Sequence, residues 1–505
     1  MYFCITKSKY EHIMKKLTIL SLFFILFTTG LFAQESKHTY TLDQVIDLAR
    51  EQSLDALVAK HRYRADYWEF RSFRAKYLPD LTLNTQFPQF NRAIKKYQNP
   101  DGSYTYIEDN VNTTTLSLDM YQQVSLTGGQ LFVSTDLQRI DQFGDNRNYS
   151  YLSSPVRIGY RQPVLFYNEY KWEKKIEPLK YQEAKKSYLS NMENATIKAV
   201  SYFFDLILAQ KNLEIAKSNY ANADTLYKIS KQRFEIGTIA ENELMQMELS
   251  FLNAGAAMNE SEIGLKAAKI RLRTYLGFSE EVDISLIPPD EVPALTIDVQ
   301  EAVNMARENN PEMLTHERQL LQAQRDVARA KAEKGPNANL FASFGLTQKA
   351  DDINNVYREP QDQQSVTLGL EVPILDWGQA RGRYKMARSG QEVVKNDIQR
   401  SKMEFEQNVA LNIMQFNLQD DQVAIKKQAD RIADKRYEIT KKRFLVGKVD
   451  VLDLNVASRE KDLATRDYIS SLRAFWSDYY NIRRITLYDF FRERELDAEY
   501  KEMVD

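Results

Sequence analysis

The sequence predicts an α+β membrane protein built from two tandem copies of one unit, each joining strands to a very long helix. Three observations carry that prediction. The chain repeats internally, it holds helical tracts of roughly 70 residues, and its alternating strands are too few to close a barrel alone.

The repeat comes first. Ala49-Arg50-Glu51 and Pro79 recur 257 residues on, as Ala306-Arg307-Glu308 and Pro336. Gly159, Pro163 and Leu165 recur 210 residues on, as Gly369, Pro373 and Leu375. Arg233-Phe234 and Gly237 return at the same offset, as Arg443-Phe444 and Gly447. The first copy therefore carries 47 extra residues between Pro79 and Gly159. The copies meet near Ile287-Pro288-Pro289, a natural linker.

Each copy has the same order of elements. A moderate helix is expected over Leu42–Lys76 and again over Asp298–Lys334, stopped by Pro79 and by Gly335-Pro336. Strands follow. Leu81, Leu83, Thr85 and Phe87 share one face, as do Leu340, Ala342, Phe344 and Leu346. Later come Val156, Ile158 and Tyr160, and Val366, Leu368, Leu370 and Val372. The extra residues add an expected hairpin at about 112–140, with strands Leu116–Leu126 and Leu131–Leu137 around Thr127-Gly128-Gly129.

Long helical tracts are expected over Asn168–Ile236, with a possible kink at Pro178, and over Asp376–Val446. At 1.5 Å per residue each reaches about 105 Å. Second helices follow at Glu241–Tyr275 and Val451–Phe490. In the first copy the two shorter helices together match the long one in length, a rule that suits a tall cylinder. Leu411, Leu418, Ile425, Ile432, Ile439 and Val446 sit seven apart, as do Met192, Ala199, Leu206, Leu213, Tyr220, Tyr227 and Phe234. That period predicts left-handed supercoiled packing. Polar companions such as Asp421, Gln428, Lys435 and Lys442 keep the seam narrow.

Composition excludes several functions. The net charge of −2 offers no global field for nucleic acid. Mean hydropathy is −0.52, and Leu17–Phe27 is too short to span a bilayer. With Met14-Lys15-Lys16 before it and Leu31-Phe32-Ala33 after it, that stretch reads as a signal peptide over 1–33, with the start at Met14. The single Cys4 falls in that segment, so no disulfide or thiol chemistry is expected in the mature chain. His12, His38, His61 and His316 are scattered and form no metal spacing. No nucleophile elbow or phosphate loop occurs, so neither an enzymatic role nor a cofactor is expected.

Only helices and closed barrels satisfy the backbone in lipid. Four to six strands fall short of the eight in the smallest single-chain barrels, so the barrel must be shared between chains. A soluble periplasmic coiled-coil scaffold is the rival reading. It accounts for the heptads but not for the strands.

The chain resembles the outer-membrane efflux protein family, the TolC-type channels of tripartite pumps and type I secretion, from about Thr41 to Phe490. The matching stretches include Ile297–Leu314, Tyr77-Leu78-Pro79-Asp80-Leu81, Gln162-Pro163-Val164-Leu165 and Leu272–Phe278. They also include Arg233-Phe234-Glu235-Ile236-Gly237 through Glu243-Leu244, and Arg443-Phe444-Leu445-Val446-Gly447 through Asp453-Leu454. The resemblance implies a homotrimer in the outer membrane with a large periplasmic part. A helical tunnel would join a shared 12-stranded barrel. It also implies a periplasmic adaptor docking on Ile236-Gly237-Thr238 and Val446-Gly447-Lys448, with an inner-membrane pump reached indirectly. Helix C-capping is the plain alternative for both glycines. The family's charged gate falls on Asp453 and on Glu243, with Lys448 and Asp450 as candidate neighbours; its further aspartate is Val456 here. These charges also suit helix N-termini in any protein. The expected layout is a first repeat at 34–285, a second at 286–490 and a charged tail at 491–505. Whether a copy supplies four or six barrel strands stays open, as does the cargo.

Overall fold

The computed structural model describes residues 38–144, 147–164, 167–278, 283–289, 292–500 and 503. The signal segment at 1–33 and the motif residue Leu165 lie outside them. The chain forms two compact units that cut across the copies. Among the described residues, one holds 38–54 with those in 195–293 and 421–477; the other holds those in 55–194, 294–420 and 478–505.

In chain order the elements begin with β1 (His38–Tyr40), α1 (Leu42–Gln52) and α2 (Leu54–Ala75). Strands β2 (Asp80–Gln98), β3 (Tyr104–Val124), β4 (Gly129–Gln142) and β5 (Asn148–Val164) follow. Helices α3 (Glu169–Glu235) and α4 (Glu241–Tyr275) and strand β6 (Ile284–Leu286) complete the first copy. The second copy has α5 (Val299–Asn309), α6 (Pro311–Ala332), β7 (Asn337–Ala350), β8 (Gln361–Glu371), α7 (Gln379–Phe416), α8 (Gln419–Leu445) and α9 (Val451–Thr486). Two short strands, β9 (Tyr488–Asp489) and β10 (Arg494–Glu495), end it.

Several expected helices are broken. Leu42–Lys76 splits at Ser53, whose ψ of 147° is extended. Asp298–Lys334 splits at Asn310, 257 residues on, because Pro311 forces the residue before it out of helical geometry. The Asn310 side chain then caps α6 through the Glu312 amide. The break leaves helices of 11 and 22 residues in both copies. The second long tract also divides, at Asn417, whose side-chain amide pairs with the backbone of Ile297 in both directions at 2.9 Å. The first long tract is one 67-residue helix that passes through Pro178.

The last helix stops at Thr486, four residues short of the expected Phe490, where Leu487 takes a φ of +48°. Two described residues of the charged tail are packed. Tyr500 lies 5.4 Å from Tyr63 between ring centroids, and Met503 is buried. Asp489 anchors the turn beneath it. Its carboxylate accepts from the Tyr479 hydroxyl at 2.5 Å and meets Arg483 at 3.0 Å, and Arg483 also reaches Glu193 at 3.2 Å. Burial pushes the Asp489 carboxyl up, but the Tyr479 hydroxyl and Arg483 outweigh it and hold the pKa below the usual range.

The sheet order is β2-β3-β4-β5-β7-β8, antiparallel throughout. The extra residues thus supply two full strands between β2 and β5. These strands outrun the expected ones, since polar residues on both faces of Tyr104–Thr115 hide the alternation. The short parallel pair β1–β6, absent from the sequence reading, ties the start of the first copy to its end.

Candidate functional site

Helices α3 and α8 end in the same local structure. Gly237 has a φ of +71° and Gly447 a φ of +72°, a region that L side chains avoid. In the first turn, the Gly237 amide donates to Phe234 O and the Thr238 amide to Arg233 O, each at 2.9 Å. In the second, Gly447 donates to Phe444 O and Lys448 to Arg443 O, also at 2.9 Å. Both turns are Schellman caps. A Cβ on either glycine would meet nothing within 4 Å, so the backbone angle alone demands glycine.

The two turns lie side by side. The Arg233 guanidinium donates to Leu445 O at 3.3 Å. Beneath them, Tyr437, Phe444, Leu454 and Ala457 form a small core that Leu226 joins from α3. Asn222, Tyr437 and Lys441 form a polar link above it, with Asn222 donating to the Tyr437 hydroxyl at 3.1 Å and Lys441 to Asn222 at 2.8 Å. The sequence reading missed this link, because nothing local marks an asparagine as a partner of a tyrosine 215 residues away. Ile236 and Val446 are exposed at the crown.

The candidate gate charges divide. Asp450 is an N-cap whose carboxylate accepts the Asp453 amide at 2.8 Å. Asp453 and Glu243 are exposed in the first turns of α9 and α4. Among the described residues no ion pair joins Lys448 to Asp450 or Asp453.

The helices around the turns pack through specific side-chain contacts. Phe251 of α4 stacks between Tyr220 and Tyr227 of α3. Asn219 and Asp205 of α3 bind Asp462 and Arg473 of α9. Asp430 and Lys426 of α8 bind Thr465 and Asp467 of α9. Helices α4 and α8, which both also pack on α3, each leave an apolar face outside these contacts. Met245, Leu249, Leu252, Ile263 and Ile270 stay exposed on α4, with Ile425, Ile432 and Ile439 on α8. The two heptad stripes therefore differ in use. Ala199 and Leu206 of the first are buried within the chain, whereas the second faces outward.

The sheet also has two unlike faces. One carries Leu81 and Leu83, Leu116 and Leu118, Leu131 and Val133, Ile158, Phe344, and Val366, Leu368 and Leu370 across all six strands; most are exposed. The other is polar. There Asn84 donates to Asp119 at 2.9 Å and Arg157 to Ser134 at 3.2 Å. Phe132 and Phe341 stack on that face at 5.8 Å, and the Phe132 ring lies over Gly159, where any Cβ would collide with it.

No described helix is long and apolar enough to cross a membrane, and no cluster of His, Cys, Asp and Glu that could hold a metal occurs among the described residues.

Residues 302–484 match the model of the Outer membrane efflux protein family. The alkaline protease secretion protein AprF of Pseudomonas aeruginosa is 21% identical over 251 residues, 48% of this chain and 50% of that protein. The outer membrane protein TolC of Vibrio cholerae is 22% identical over 303 residues, 58% of this chain and 69% of that protein. The chain thus matches about half the length of the first relative. Among solved structures, the CmeC outer membrane channel of Campylobacter jejuni superposes with a TM-score of 0.65 at 14% identity, over 91% of this chain and 88% of that one. The outer-membrane channel OprN gives 0.64 at 17%, over 88% and 89%. The helices, the sheet and the matched second copy agree: the second copy matches the outer membrane efflux protein family, and the chain has the fold of these outer-membrane channels.

Proposed function

We propose that this protein is the outer-membrane channel of a tripartite efflux or type I secretion system, a passive duct from periplasm to exterior. The observation that carries the reading is the pair of open edges. In the helical unit α4 and α8 present unpartnered apolar stripes, one from each copy of the repeat. In the sheet, β2 and β8 are open, again one from each copy. Unlike edges that fit head to tail close a ring of identical chains. Trimers are the expected ring. The repeats at 34–285 and 286–490 then alternate around it. The apolar sheet face meets lipid, and the polar face lines the lumen.

The paired turns suit docking of a periplasmic adaptor. Their crowns, Ile236-Gly237-Thr238 and Val446-Gly447-Lys448, are exposed and open above each glycine. Opening is assigned to that contact. Asp453 and Glu243 would each form a ring of like charge in a trimer, which repels unless bridged. Asp450 serves the site as the cap that holds the start of α9. The protein is proposed to carry no chemistry of its own, with energy and cargo choice left to the inner-membrane pump.

The test is fractionation followed by planar-bilayer recording. Heat-modifiable trimers in the outer-membrane fraction and discrete single-channel steps are expected. Protein that stays soluble without detergent and conducts nothing refutes the reading in favour of a periplasmic scaffold.

A further inference from the structure

We infer that the hairpin β3–β4 is barrel wall, and that three copies of this chain close a barrel of eighteen strands instead of twelve. The inference rests on the trimeric channel reading above and adds to it the composition of the wall and the register of its seams.

The first support is position. Strands β3 and β4 stand between β2 and β5 in the sheet, paired on both sides along 14 residues with each other and 12 with β5. A hairpin that merely decorated a barrel would leave β2 paired with β5. The second support is the face. Leu116, Leu118, Leu131 and Val133 continue the apolar band of Leu83 and Ile158 without a gap, while Ser117, Asp119, Ser134 and Asp136 continue the polar one. A hairpin standing in water has no reason to keep a lipid-type face in register with its neighbours.

The third support is parity. Six antiparallel strands leave β2 and β8 running in opposite directions, so β8 of one copy can pair antiparallel with β2 of the next. An open edge demands such a partner. The duplication also supplies the register. Strand β7 is the repeat of β2 at an offset of 257, and β8 is the repeat of β5 at 210. Within the chain, β5 meets β7 with Tyr160 opposite Ala342 and Ile158 opposite Phe344. The equivalent seam between copies puts Leu370 opposite Thr85 of the partner subunit and Leu368 opposite Phe87 of the partner subunit. All four are on the apolar side, as a membrane-facing seam requires.

Barrel diameter grows about linearly with strand number, so eighteen strands give a lumen about one and a half times as wide as twelve. Barrels of that size leave an aqueous channel. The barrel then admits bulky or polymeric cargo.

Electron cryo-microscopy of the full-length protein in detergent tests this directly. A three-fold particle with eighteen strands is expected. A three-fold particle with twelve overturns the inference alone; a particle that is not three-fold overturns the trimeric reading beneath it. A second measurement fixes the register. The double variant Leu370→Cys with Thr85→Cys should oxidise to covalent trimers, and Leu370→Cys with Leu81→Cys, four residues away, should not. Intact trimers in which the first pair stays reduced while the second links overturn the assigned seam.

Discussion

The paired glycine turns allow capping and docking to be separated. Gly237 and Gly447 sit at φ of +71° and +72° with open space beyond each Cα. A left-handed conformation costs an ordinary L residue roughly 1–2 kcal/mol. Replacing both with valine should therefore cost roughly 2–4 kcal/mol per chain. That is below the ~5–15 kcal/mol typical of a folded domain, so trimers should persist. Asparagine tolerates the same conformation at lower cost and still projects a side chain into the space above the turn. The double variant Gly237→Asn with Gly447→Asn should thus keep near-wild-type thermal stability yet lose export at least tenfold, measured as dye retention in cells that carry the cognate pump. The valine pair should lose export and some stability. Wild-type export by the asparagine pair would falsify docking at these crowns and leave the glycines as helix caps.

Four further outcomes are expected. Asp453→Ala should raise basal single-channel conductance, and unchanged conductance removes its gate role. Ile432→Asp with Ile439→Asp should yield monomers on native gels while circular dichroism stays helical; intact trimers would show that the exposed stripe on α8 is not a seam. Arg483→Met removes the buried guanidinium that meets both Glu193 and Asp489, at a cost of about 3–5 kcal/mol, read from the urea midpoint. His316 is buried, and burial lowers its pKa, aided by Lys402 and opposed by Glu312. The native state then binds fewer protons than the unfolded chain, so this contribution to stability is full above about pH 6.5 and declines as pH falls through that value. His316→Leu should flatten urea stability between pH 7 and pH 5; an unchanged slope refutes the assignment.

The parts legible in sequence were those set by period and by repetition. The 67-residue helix, the two glycine stops and the outward faces of β2, β5, β7 and β8 all follow from spacing that local sequence preserves. The breaks were harder. Asn310-Pro311 carries its own signal in the proline, whereas Ser53 carries none and is found only through the repeat. The Asn417 break depends on a partner 120 residues away, which no local pattern reveals. Strand length failed where Tyr104–Thr115 is polar on both faces, so the hairpin read as about 112–140 spans 104–142. The tail at 491–505 reads as charged, and its sequence does not reveal that Tyr500 packs against rings on α2 and α3. The glycines of the two turns are marked in the sequence, but the side chains beneath them, Asn222, Tyr437 and Lys441, are not.

The open edges also carry a kinetic burden. A chain that has folded but not yet met its neighbours displays the unpaired backbone of β2 and β8 and two rows of bare isoleucine, leucine and methionine. Such surfaces pair with whatever strand or apolar patch arrives first. Assembly of the proposed ring is thus a race between correct closure and aggregation, and its rate should rise steeply with the number of chains that reach the membrane together. On the proposed route through the periplasm to a ring, a shortage of proteins that hold the chain unpaired should appear as aggregated chains before any loss of export per assembled ring.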